Sequence, residues 1–217
     1  MQSVKIVEAV TKHTGTVIFL HVSSSPEGLR PAVNRSADTA GLPIKGLGDT
    51  GASFVPLAGA LQQKHPHVRF VFPTAKPKPI SINNGYLMPA WYDVENMNRD
   101  RLADSIEDDE ESMMNSVAVV DSLIEKEVTE QGINEDRIVI GGFSQGCVVT
   151  TLSSLILKRK LAGLIALSGW LALSHKIEEL ISPTGKDLAV FWGHGKQDRV
   201  IEHRCAAFSM RSSAERF

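Results

Sequence analysis

The chain has 217 residues, 42% of them hydrophobic, with 23 Lys and Arg against 25 Asp and Glu and a formal net charge of −2. That length suits a single α/β domain with a substantial core, and that charge balance excludes the basic stripe of a nucleic-acid binder. Residues 1–10 carry no charged-then-apolar leader, and no apolar run approaches membrane-spanning length. The two cysteines, Cys147 and Cys205, make no disulfide framework, which points to a reducing interior, cytoplasm or nucleus.

Residues 5–10 alternate weakly, as an edge strand does, and residues 16–20 (TVIFL) are an unbroken apolar run of parallel-strand type ending at His21. Residues 22–45 break the pattern. They are rich in Ser, Pro, Gly and Arg, with no period of strand or helix, and a loop of that length is out of place in a compact domain. Residues 46–51 read GLGDTG. A dinucleotide site of that spelling needs a preceding strand and an acidic residue about 20 positions on, and both are missing. A glycine-rich turn offering backbone N–H groups to a developing negative charge fits better.

Residues 53–64 have helical apolar spacing with Ser53 as a cap, and His65-Pro66-His67 closes the segment as a solvated turn without the further ligands a metal would need. Residues 69–72 (RFVF) read as a strand. Residues 74–97 read as a loop, with Pro77, Pro79 and Pro89 and the apolar Leu87, Met88, Trp91 and Met97. Such a loop is either a lid over an apolar pocket or a segment packed down on the core. The acids of residues 107–111 (EDDEE) suit the N-terminus of a helix running through Val128.

The richest stretch is residues 137–160. The β-branched run Ile138-Val139-Ile140 reads as a buried strand, and the segment from Gln145 reads as an apolar helix ending in the cations Lys158-Arg159-Lys160. Between them stands Gly142-Phe143-Ser144-Gln145-Gly146, a G-x-S-x-G where a strand turns into a helix. On such an elbow the serine is strained and exposed, the glycines allow strand and helix to approach, and the amide after the serine is placed to bind an oxyanion. Cys147, just beyond, reads as a small buried helix residue. Residues 164–168 and 188–192 are two more strands, the second ending in the polar turn Gly193-His194-Gly195-Lys196-Gln197-Asp198. Strands alternating with helices predict one domain, residues 1–217, built on a mostly parallel sheet covered by helices on both faces. On elbow folds the acid follows the serine in the chain, and Asp198 stands in that place.

Seven runs, TVIFLH, GLGDTG, FPTA, GYLMPAWYD, RIVIGGFSQG, LAGLIALSGWL and WGHGKQD, resemble the acyl-protein thioesterase and carboxylesterase/lysophospholipase family of α/β-hydrolases. The resemblance implies that fold and the hydrolysis of long-chain acyl thioesters or esters, with acylated proteins or lysophospholipids as substrates, transient contact with a membrane surface, and no cofactor. It implies Ser144 as nucleophile, Asp198 as orienting acid, and the amides of Gln145 and Leu47 as the oxyanion hole. It implies an apolar acyl channel lined by Leu87, Met88, Trp91 and Trp170. A lysophospholipase or small carboxylesterase, or a catalytically dead acyl-binding relative, is the alternative.

The chain departs from that family pattern twice. Deleting the 24 residues 22–45 joins TVIFLH to GLGDTG and restores the family run. Val22-Ser23 can be encoded GTAAGT, Ala37-Asp38 GCTGAC and Lys45 AAG, the marks of a retained intron read in frame; a regulatory insertion is the other reading. The family's catalytic His comes well after the acid, beyond a further strand, and after Asp198 this sequence has only His203, five residues on. The sequence therefore reads as lacking the C-terminal strand and helix of the fold together with the general base. Loss of that base costs about 10⁶ in kcat in enzymes of this type, so the literal polypeptide is expected to be nearly inactive.

Overall fold

The computed structural model describes residues 3–21, 50–95, 109–185, 187–198 and 200–201. Six strands form the central sheet in the order β1-β3-β2-β6-β7-β8. They are β1 (Val4–Val7), β2 (Gly15–Leu20), β3 (Val68–Pro73), β6 (Ile138–Phe143), β7 (Gly163–Leu167) and β8 (Val190–Gly193). β1 runs antiparallel to β3 at one edge, as residues 5–10 foreshadow, and every other pairing is parallel.

Alternate residues feed two cores, as the two-residue period of a strand demands. On one face Ile18, Leu20, Ile138, Ile140, Leu164 and Ala166 pack against α2 (Glu110–Thr129) and α3 (Gln145–Ile156). On the other, Phe19, Phe70 and Phe72 pack against Phe54 and against Ala58 of α1 (Val55–Gln62). This is the α/β-hydrolase arrangement expected, a mostly parallel sheet between helices. α3 is almost wholly buried in spite of its hydroxyls, because Thr150, Ser153 and Ser154 donate back to the carbonyls of Gly146, Val149 and Thr151. No helix among the described residues is long and apolar enough to cross a membrane.

Four local expectations are corrected. Ser53 lies inside a 3₁₀ turn, Gly51–Phe54, whose cap is Thr50, with Oγ1 accepting from the Ala52 amide. α2 starts at Glu110, where the Asp109 carboxylate accepts from the Ser112 amide. α3 stops at Ile156, short of the cations, and Arg159 instead bonds Asp121, Glu125 and Glu135 at 2.6–2.9 Å. A guanidinium gains more from three fixed carboxylates than from a helix dipole.

Residues 74–95 hold a two-stranded hairpin where a loop is expected, β4 (Pro77–Ile80) and β5 (Tyr86–Pro89), and Met97 lies outside the described residues. Its prolines hide it from a reading by period. Pro77 faces Pro89 and Pro79 faces Leu87, so the missing donors all fall on the same alternate set of pairs. The turn is completed by Asn84 and Gly85 at φ 55° and 75°.

Candidate active site

β6, β7 and β8 end level with one another, Phe143 beside Leu167 beside Gly193. The next residue of each strand therefore stands in one row, Ser144, Ser168 and His194, at the carboxyl edge where open α/β sheets gather their ligands. Ser144 has φ 54° and ψ −118°, a backbone that side chains rarely adopt. It is held there by its amide donating to the Leu167 carbonyl at 2.9 Å and its carbonyl accepting from the Val148 amide at 3.1 Å. Ser168 is held at φ 50° beside it by a 2.9 Å bond to the Gly193 carbonyl.

Only glycine closes this elbow. A Cβ on Gly146 would lie 2.4 Å from the Leu20 carbonyl oxygen, and one on Gly142 would lie 2.3 Å from the backbone of Gly146. The helix start is thereby pressed against the end of β2. The Gln145 amide opens α3, where free N–H groups and the helix dipole favour a negative charge.

The Gln145 side chain has a role that no sequence signal reveals. Its Oε1 accepts from the Trp91 amide at 2.9 Å and its Nε2 donates to the Tyr92 carbonyl at 2.7 Å. Trp91 in turn donates its indole N–H to the His21 carbonyl at 2.9 Å, and His21 Nε2 accepts from the Ala75 amide at 3.0 Å. The ends of β2 and β3, the hairpin and the elbow are thus bound into one buried network. Ser116 Oγ and Lys78 Nζ both donate to the Trp91 carbonyl.

Asp198 lies in the turn after β8. Its Oδ1 accepts from the amides of Val200 and Ile201 at 2.9 and 3.0 Å. Its Oδ2 lies 3.5 Å from Nε2 of the buried His194, which also sits 2.8 Å from the Ile201 carbonyl. His194 is therefore part of the Asp198 turn, at the end of the strand where the sequence placed it. Leu47, the other expected oxyanion donor, and His203 lie outside the described residues, as does the whole of 22–45. The far end of the glycine-rich run is described, and there the Gly51 amide donates to Thr74 Oγ1 at 3.1 Å.

The four apolar candidates separate. Leu87 is 64% exposed on β5, whereas Met88 is buried with Ile80 and Ala90 inside the hairpin. Trp91 is 2% exposed, and Trp170 is buried edge-on against Tyr92 with ring centroids 6.4 Å apart. The segment is thus packed down at Met88 and Trp91 and open at Leu87. Burial pushes the Cys147 thiol up to about 12, although Thr151 and the backbone at Leu167 and Gly169 pull it down, so it is protonated at neutral pH and is no second nucleophile.

A serine at a strained strand-to-helix turn, with an amide at a helix start behind it and a carboxylate two strands away, defines a hydrolase of the α/β-hydrolase fold. Residues 43–213 match the family model described as Phospholipase/Carboxylesterase. Acyl-protein thioesterase 1 of Cryptococcus neoformans var. neoformans is 42% identical over 200 residues, 92% of this chain and 71% of that protein. Acyl-protein thioesterase 1 of Yarrowia lipolytica is 36% identical over 197 residues, 90% of this chain and 74% of its own. Two crystal structures share the fold. Arabidopsis thaliana SOBER1 has a TM-score of 0.75 at 24% identity, over 93% of this chain and 83% of that one. Zea mays acyl-protein thioesterase 2 has a TM-score of 0.76 at 23% identity, over 99% and 85%. The chain belongs to the phospholipase/carboxylesterase family and is by family a carboxylic ester or thioester hydrolase.

Proposed function

We propose that the chain derives from an acyl-protein thioesterase that removes long acyl groups from protein cysteines in the cytoplasm, with Ser144 as nucleophile. The observation that carries this is the backbone of Ser144, φ 54° and ψ −118°, on the turn between β6 and α3. In the reaction Ser144 Oγ bonds to the thioester carbonyl carbon while the amides of Gln145 and Leu47 receive the oxyanion. The C–S bond then breaks, and the cysteine thiol leaves with the proton taken from Ser144. Water hydrolyses the acyl-serine to a fatty acid and restores the hydroxyl. Asp198 orients the imidazole that shuttles the proton. Leu87, the exposed member of the four apolar candidates, borders the acyl chain, with Met88, Trp91 and Trp170 packed behind it.

The exposed Ile82, Tyr86 and Leu87 on the hairpin suit brief contact with the lipid surface from which such a chain is drawn. The same site accommodates lysophospholipids and small esters. His194 is engaged in the Asp198 turn, its Nε2 2.8 Å from the Ile201 carbonyl and 3.5 Å from Asp198 Oδ2, which argues for a different imidazole as the base. That engagement favours, as a second reading, an acyl-binding relative without turnover. Residues 22–45 are foreign to the family run, since TVIFLH and GLGDTG join when they are removed. Prolonged incubation with a fluorophosphonate, followed by peptide mass mapping, tests the assignment. A slow adduct on Ser144 is expected; adducts confined to other residues, or none, would refute the nucleophile.

A further inference from the structure

Gln145 carries two separable groups. Its amide opens α3 behind the serine; its carboxamide spends both of its ends on Trp91 and Tyr92, 54 and 53 residues earlier in the chain. The pair of bonds matches a backbone ladder, one acceptor and one donor spent on one N–H and one C=O. All four atoms are buried, so water does not replace the bonds when they break.

The peptide so held is the junction between the hairpin and the rest of the domain. β5 ends at Pro89, Trp91 follows after Ala90, and Asp93 fastens the other end of the hairpin by accepting from the amide and hydroxyl of Ser81. The Asp93 amide donates to Asp109 at the start of α2. Trp91 itself passes its indole N–H to the last residue of the β2 run, His21, against which Gly146 is pressed. The carboxamide is a direct side-chain link between the elbow and this junction.

We infer that the Gln145 carboxamide is a positioning group that sets the register between the serine elbow and the hairpin-borne part of the acyl site. It acts through Trp91 and Tyr92, touches no reacting atom, and governs how well a long chain, reaching past the elbow to the hairpin, is held relative to a short one. The inference rests on the acyl-hydrolase reading given above.

The test compares long-chain and short-chain alkyl methyl ketones, uncharged probes that are not hydrolysed, by titration calorimetry against the full chain and two variants. Amide hydrogen exchange of the peptide spanning residues 86–95 is followed in parallel. Gln145→Met keeps length and apolar bulk and removes both bonds; it is expected to weaken the long probe about tenfold relative to the short one and to speed exchange at Trp91. Gln145→Glu supplies an internal rescue. Its neutral carboxyl reproduces both bonds, whereas its carboxylate opposes the Tyr92 carbonyl and is raised in pKa by burial. The long-to-short preference should return as pH falls in that variant and stay flat in the unsubstituted chain. An unchanged preference in Gln145→Met, or a pH-independent one in Gln145→Glu, would overturn the positioning role even if stability drops. Failure of the unsubstituted chain to bind either ketone would refute the acyl-site reading itself. Faster exchange in that case would leave the carboxamide a purely structural brace, and the inference would fall as well.

Discussion

The two ends of the central sheet are held by opposite physics. At the end where the parallel strands begin, charges are paired. Arg69, buried at the start of β3, donates to Glu127 at 2.8 Å and is ion-paired with Glu8 at 3.1 Å. Glu127 also accepts from Thr16 at 2.8 Å, and Thr16 lies 2.9 Å from His13. Arg159, just before β7, gathers three carboxylates from α2 and the turn before β6. At the end where the strands finish, buried polar groups spend their bonds on neighbouring backbone and two serines sit in strained conformations. A domain can carry strain where chemistry happens because the opposite end is fastened, and substitutions at the two ends should therefore have opposite signs.

The largest expected effect lies at the fastened end. Glu127→Ala leaves the buried Arg69 with only the exposed Glu8 and should cost about 3–5 kcal/mol in urea unfolding. A loss below about 1 kcal/mol would mean that water reaches Arg69 and that this end is no stronger than a surface pair.

How much of this contrast is legible in the sequence depends on the range of the interaction. TVIFL, RFVF and the run Ile138-Val139-Ile140 read as buried strands by composition alone, and sheet and elbow follow from them. Hairpin β4–β5 was hidden because three prolines erase the alternation that signals a strand, although they occupy compatible positions. Nothing near Gln145 announces partners more than fifty residues away, and nothing near Arg159 announces three carboxylates on other elements. Motif and period report local backbone; the side-chain bonds that join elements appear only once the chain is folded.

At the strained end, Ser144→Gly should remove the cost of a left-handed backbone on a residue with a Cβ. A net gain of about 1 kcal/mol is expected in the same urea experiment, after the extra entropy lost by glycine. A loss of stability would show that the Ser144 side chain is a structural element and that the strain argument fails.

A smaller effect belongs to the α2 cap, which ties the hairpin end to the helix. Burial alone would raise the Asp109 carboxyl. The Ser112 side chain, the amides of Asp93 and Ser112, and the nearby Lys78 outweigh it and hold the group below the usual carboxylate value. A depressed folded value means that its contribution is complete above the unfolded carboxylate range and is lost as pH falls through the folded one. Asp109→Asn keeps a capping oxygen and loses the charge, so it should cost about 0.5 kcal/mol near neutrality and progressively less in acid. A cost independent of pH would assign the effect to packing.

The central claim is the proposal that Ser144 is a nucleophile whose general base is not His194, since that ring is engaged with Asp198 and the Ile201 carbonyl. The most direct measurement is thioester hydrolysis by the full chain, with and without added imidazole, beside Ser144→Ala. Turnover close to background is expected without imidazole, rising with imidazole concentration in the unsubstituted chain and not in Ser144→Ala. Rapid turnover without imidazole, abolished by Ser144→Ala, would show that the chain supplies its own base and would contradict the account.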